Sequence, residues 1–185
     1  MHLITPRLLI TDDDRDFRET VAGLLADRGF ETLQAADGEE ALQIVHRHEV
    51  HLLLLDMQMP RLTGLETIER LRREGVPWRT AFPEELAERQ PVGDSWRRAG
   101  SADLTELPES TAVGGVGPAT WPRPKEVLPA VPVPWILISG ALDEDLIARA
   151  RANAAFSVLQ KPVRLPDLTG AVVAALERAY GWHAA

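Results

Sequence analysis

Five polar residues follow or end short apolar runs in this chain: Asp12 and Asp13 after LLIT, Asp56 after LLLL, Ser139 at the end of WILIS, and Lys161 after VLQ. If the runs are strands of one parallel sheet, their carboxyl ends meet at one edge, where open α/β sheets place their ligands. Three carboxylates gathered there repel one another and carry raised pKa values unless a cation shares the site. A hard divalent cation that binds few carboxylates and keeps several waters answers that need, which is the Mg²⁺ pattern. The hydroxyl and the ammonium then supply donors for an anion held against the metal, as phosphoryl transfer requires. Each residue also has a plainer reading. Asp56 could begin a turn toward Pro60, Asp13 or Asp14 could cap the first helix, Ser139 could cap the fourth, and Lys161 could be an exposed lysine.

The elements that must position these residues are legible as an alternation. Leu52 to Leu55 are too few for a membrane span and suit a strand buried on both faces. RLLIT at Arg7 to Thr11, ETLQA at Glu31 to Ala35, WILIS at Trp135 to Ser139 and AFSVLQ at Ala155 to Gln160 supply four more strands. Apolar residues recur between them at helical spacing. The first helix, from Arg15, carries Phe17, Val21, Leu24 and Leu25 and stops at Gly29. The second follows Asp37, with Glu40 placed as in a capping box and Ala41, Leu42, Ile44 and Val45 on the buried side. The third runs from Gly64 to Glu74 on Leu65, Ile68 and Leu71, closed by Gly75. A fourth is expected from about Leu142 to a left-handed Asn153, and a fifth from Pro166 to Tyr180. The fold class is therefore α/β, a doubly wound five-stranded parallel sheet with helices on both faces.

Between the third helix and the fourth strand the regularity fails. Pro77 to Val133 is crowded with Pro and Gly, and only Pro83 to Gln90 reads as helix. The stretch TWPRPKEVLPAVPVP favours polyproline II or irregular chain. Trp78, Trp96 and Trp121 are out of place in a disordered segment, so parts of it are expected to dock onto the domain. The expected organisation is one domain over residues 1–185, interrupted by this insert and with no output domain. A hydrophobic fraction of 45% and a charged fraction of 26% suit a soluble globular protein. A net charge of -8 gives no general attraction for nucleic acid or anionic membranes. The absence of cysteine excludes disulfides and thiolate metal sites, and no window reaches the ~18 apolar residues of a membrane span. A cytoplasmic location is expected.

Four motifs, LLITDDD at Leu8 to Asp14, DMQMPRLTG at Asp56 to Gly64, WILISG at Trp135 to Gly140 and QKP at Gln160 to Pro162, resemble those of a response-regulator receiver domain of two-component signalling. They occur in order and span nearly the whole chain outside the insert, and the resemblance implies the flavodoxin-like strand order 2-1-3-4-5. The resemblance implies that Asp56 is the nucleophile accepting a phosphoryl group from a histidine kinase or phosphotransfer protein. It implies Mg²⁺ bound by Asp13, Asp56 and the backbone carbonyl of Gln58, with Asp12 acting through water. Ser139 and Lys161 would each bond a phosphoryl oxygen, and the bond from Lys161 to Pro162 would be cis. The signalling surface would be the fourth helix, fifth strand and fifth helix, which would serve a downstream protein or a homodimer. No enzyme activity is expected beyond self-catalysed phosphotransfer and dephosphorylation.

Departures from the pattern are informative. Val158 stands three residues before Lys161, where the family commonly has Tyr or Phe, and Phe156 is expected on the same strand face. Ser139 replaces the commoner Thr and keeps the hydroxyl. An alternative reading is a receiver-like binding module, indifferent to phosphorylation, whose insert carries the interaction. A third, an Mg²⁺-dependent hydrolase with an aspartyl nucleophile, would want a second Asp where Gln58 stands. His46, His48 and His51 do not share a helical face and are not expected to hold a metal. The apolar stripe of the last helix reads as core, and Arg72 and Arg73 read as a solvated helix end.

Overall fold

Alternation of apolar side chains along short strands decides the architecture. The computed structural model describes residues 3–74, 121–122 and 133–181. In chain order these form β1 (Leu3–Ile4), β2 (Arg7–Thr11), α1 (Arg15–Ala26), β3 (Glu31–Ala35), α2 (Gly38–Arg47), β4 (Leu52–Asp56) and α3 (Gly64–Arg73). They continue with β5 (Trp121–Pro122), β6 (Trp135–Ser139), α4 (Glu144–Ala152), β7 (Ser157–Gln160) and α5 (Leu165–Tyr180). Five strands pair in parallel in the order β3-β2-β4-β6-β7, which is 2-1-3-4-5 counted along the sheet strands alone.

Residues two apart share a face of a strand, so the sheet sorts its side chains into two cores. Leu8, Ile10, Leu52, Leu54, Ile136 and Ile138 meet Val21 and Leu25 of α1 and Leu168, Val172 and Leu176 of α5. Leu9, Leu53, Leu55 and Leu137 meet Leu42 of α2, Leu65, Ile68 and Leu71 of α3, and Leu146 of α4. No leucine of β4 is more than 1% exposed, and each such burial stabilises by about 1.5–3 kcal/mol. The central strand is thus fixed by both layers, and Asp56 at its end with it.

Helix starts are set by side-chain caps. Asp14 caps α1, accepting from the N–H groups of Asp16 and Phe17. Asp37 caps α2, but Glu40 reaches one residue beyond the expected partner, to the Ala36 N–H at 2.7 Å. Thr63 and Glu66 close a full capping box on α3. Asp143, not Ser139, caps the fourth helix, which is why α4 begins at Glu144 and not at Leu142.

Other boundaries and placements differ from expectation. α1 ends at Ala26, and the left-handed Gly29 follows after one further turn. Asn153 is not left-handed; Ala154 is, because the Asn153 side chain is held by Arg72, whose Nη1 donates to Asn153 Oδ1 at 2.7 Å. Arg72 is accordingly not a solvated helix end. Its Nη2 also donates to the Asn153 carbonyl at 2.6 Å, where the Trp135 indole N–H arrives at 3.0 Å. Turning at Ala154 delays the last strand to Ser157 and sends Phe156 to the α1/α5 face, while Val158 packs on the α2/α3/α4 face. Those two residues do not share a face, contrary to expectation.

Trp121–Pro122, expected to be irregular, pairs antiparallel with Leu3–Ile4, Ile4 opposite Trp121. The described residues all fall in one of two units of the chain, Met1–Ala81 with Pro118–Ala185. Gly75, the helix expected at Pro83 to Gln90, Trp78, Trp96 and nearly all of the insert from Pro77 to Val133 lie outside the described residues.

Candidate functional site

Register brings the acidic residues together. Thr11, the last residue of β2, pairs with Leu55, and Asp56 pairs with Ile138, so three adjacent strands end at one level. Asp12, Asp13 and Asp56 each present a carboxylate oxygen, all within 4.8 Å of one another. Asp12 and Asp56 are 1% and 3% exposed, whereas Asp13 is open to solvent. Gly64 allows the following loop to close against this edge, since a Cβ there would come within 2.6 Å of the Asp56 carbonyl oxygen. The loop itself turns at Arg61, which adopts a positive φ of 68°.

Lys161 enters from the far strand, its own N–H bonded to the Ser139 carbonyl at 2.8 Å. The Lys161–Pro162 bond is cis, as the resemblance implied. Nζ donates to Asp12 Oδ2 at 2.7 Å and stands 3.0 Å from Asp56 Oδ1. It also lies over the Phe17 ring, 5.0 Å from the centroid. Asp12 is held from two further sides, by the Asp14 N–H on Oδ1 at 2.9 Å and by Arg18 Nη1 on its carbonyl at 2.6 Å. Gln58 touches the site through its backbone N–H, which donates to Asp56 Oδ2 at 3.2 Å.

Burial pushes the Asp56 carboxyl above its ordinary value. The Lys161 hydrogen bond opposes the shift, and repulsion from Asp12 and Asp13 adds to it. Burial pulls the Lys161 ammonium the other way, but its bonds to Asp12 and Asp56 outweigh that and hold its pKa above the ordinary value. The pocket therefore stores negative charge that one ammonium offsets only in part. Three hard oxygen donors, one of them exposed so that waters can complete the shell, fit a divalent cation.

Ser139 is buried at the adjacent strand end, but its hydroxyl is closed on its own turn. It donates to the Ala141 carbonyl at 2.7 Å and accepts from the Ala141 N–H at 3.3 Å. Asp12, Asp13, Asp56, Gln58 and Lys161 are thus brought together, with Ser139 beside them and turned to its loop. His46 and His51 make their contacts away from the pocket. His46 Nε2 is 3.0 Å from Glu74 Oε2, and His51 Nδ1 accepts from the Arg7 N–H.

Three contacts leave no pattern in the sequence. Phe17 reads in sequence only as part of a helical stripe and Arg18 carries no signal, because the partner of the first is distant in the chain and that of the second is a backbone carbonyl. Arg61 forms an ion pair with buried Asp37, tying the loop after Asp56 to the start of α2. The Thr63-x-x-Glu66 capping box was the one local signal available to be read.

Residues 8–82 match the response regulator receiver domain family. A response regulator receiver protein of Anaeromyxobacter sp. (strain Fw109-5) is 45% identical over 67 residues, 36% of this chain and 28% of that protein. Response regulator MprA of Mycobacterium leprae is 45% identical over 69 residues, 37% of this chain and 30% of that one. The chain thus spans under a third of the length of these curated relatives. Among solved structures, a CheY-like receiver domain protein from Methanospirillum hungatei superposes with a TM-score of 0.62 at 16% identity, covering 95% of this chain and 97% of that one. The receiver domain of the Francisella response regulator 1452 gives 0.61 at 17% identity, covering 94% and 98%. At such identities the likeness is one of fold.

Proposed function

This chain carries a response-regulator receiver domain, and on that premise we propose that it accepts a phosphoryl group on Asp56 from a sensor histidine kinase or a phosphotransfer protein. The observation that carries this reading is the meeting of Asp56 and Lys161 with two further carboxylates at one sheet edge. An oxygen of ionised Asp56 bonds to phosphorus as the bond from phosphorus to the donor's leaving atom breaks, and that electron pair departs with the donor. The Gln58 N–H orients the carboxylate. Lys161, already at Asp56, turns to a phosphoryl oxygen, and Ser139 exchanges its Ala141 partner for another. We assign Mg²⁺ to Asp12, Asp13, Asp56 and the Gln58 carbonyl, where it would offset the charge of the phosphoryl oxygens.

In this reading the domain is a cytoplasmic signalling element, not an enzyme with an added substrate. Its output passes through protein contacts, by way of a downstream partner or a homodimer on α4, β7 and α5, with no direct contact to nucleic acid. Incubation with acetyl phosphate and Mg²⁺ should add one labile phosphoryl mass to the wild type and none to Asp56→Asn. A wild type without that gain overturns the reading.

One observation favours a second reading. Phe156 is on the opposite face from Val158, so no aromatic side chain takes the usual switch position on β7. A receiver-like module that binds through its insert regardless of phosphorylation is consistent with that. Partner affinity unchanged between phosphorylated and unphosphorylated protein would favour it.

A further inference from the structure

We propose that Phe17 is a positioning residue for phosphoryl transfer, its ring holding the Lys161 ammonium between Asp12 and Asp56. The inference rests on the receiver reading and extends it to a residue outside the acidic set. Lys161 is one of only two lysines in the chain, the other being Lys125. Its ammonium has three donors on a flexible four-carbon stem, and two are directed at Asp12 Oδ2 and Asp56 Oδ1. The ammonium also rests on the Phe17 ring at 5.0 Å, within the range at which the ring quadrupole attracts a cation.

Phe17 is itself firmly placed. It stands in the first turn of α1, its N–H bonded to the capping Asp14 Oδ1 at 3.2 Å, and its ring packs against the α1/α5 core. The cap, the ring, the ammonium and the two carboxylates form one chain of contacts from the start of α1 to the end of β4. The ring has a role the carboxylates cannot share. When Asp56 takes a phosphoryl group, Lys161 must leave that carboxylate for a phosphoryl oxygen, and attraction to a neutral ring does not depend on the charge of Asp56. Leucine at this position would keep apolar packing but present no π face.

Two measurements test this. With lysine labelled at the ε-carbon, and Lys125→Arg used to assign the two signals, the Lys161 ε-methylene protons should lie upfield of those of Lys125. They should move to the Lys125 position in Phe17→Leu and stay shifted in Phe17→Tyr. With acetyl phosphate and Mg²⁺, Phe17→Leu should be phosphorylated roughly fivefold more slowly than wild type, and Phe17→Tyr within about twofold of it. In a Lys161→Met background, Phe17→Leu should cause no further loss. The proposal is overturned by an unshifted Lys161 signal in the wild type, by equal rates for wild type and Phe17→Leu, or by the same loss with and without Lys161. If Lys161→Met is too slow to follow, equal losses in Phe17→Leu and Phe17→Tyr overturn it. Failure of wild-type Asp56 to take any phosphoryl group would defeat the receiver reading, while the methylene shift would still decide the contact.

Discussion

In the proposed function, Asp56 sets stability against phosphoryl acceptance. Burial and the neighbouring carboxylates raise its pKa in the folded state, so folding favours the neutral carboxyl. The stability this confers is present below the ordinary value of 3.8 and is lost as pH rises through the raised folded value. At pH 7 the ionised form, which the proposed phosphoryl transfer needs, bears the full penalty. Asp56→Asn should therefore melt a few degrees above wild type at pH 7 in EDTA, with the margin closing as the pH is lowered toward 4 in parallel thermal scans. Adding Mg²⁺ should raise the wild-type midpoint more than that of the variant. This sign was legible in the sequence from the three carboxylates alone. The contact that moderates it, the Lys161 bond to Asp56, was legible only in part, since it joins residues far apart in the chain.

At the scale of elements, the helices pack where small residues let them. A Cβ on Gly38, the first residue of α2, would come within 2.2 Å of Thr67 Oγ1 and 2.7 Å of Leu62 Cβ. Gly38→Ala should cost about 1–3 kcal/mol by overpacking, read as a lowered urea midpoint at unchanged slope. Thr67→Ala in the same chain should return part of the loss, because it removes one of the two obstructions and leaves Leu62. Strand and helix cores followed from periodicity, which is local and survives in the sequence. The ends of α4 did not, because the Asn153 side chain could serve either as a left-handed cap or as a partner. Arg72, from α3, decided for the second. Phe156 lies on the face opposite to the expected one for a related reason: the left-handed turn at Ala154 breaks the period of two just before β7 begins.

For the whole molecule, the opposite end of the sheet carries a second pH dependence. His51 is buried, accepts the Arg7 N–H on Nδ1 at 3.0 Å, and gives its carbonyl to the Tyr180 hydroxyl at 3.1 Å, joining β2, the approach to β4 and α5. Because Nδ1 accepts, the ring proton is on Nε2, and a second proton would have to displace the Arg7 bond. Burial and Arg7 lower its pKa, while Glu49 and Glu31 oppose them. A depressed histidine contributes stability that is full above its ordinary value of 6.5 and is lost as pH falls through the lower folded value. Between pH 7.5 and 5.5 the urea midpoint of the wild type should fall further than that of His51→Gln.

By itself the sequence determined the α/β alternation and the set of residues at the carboxyl ends of the strands. Each of these depends on local periodicity or on which residue follows an apolar run. Only the tertiary structure decided which oxygen of each carboxylate is engaged, that the Ser139 hydroxyl is turned to its own loop, that Arg72 is a tie between helices, and that Phe17 lies against Lys161. Those depend on distances between segments up to 149 residues apart, as for Lys161 and Asp12, and packing alone sets them.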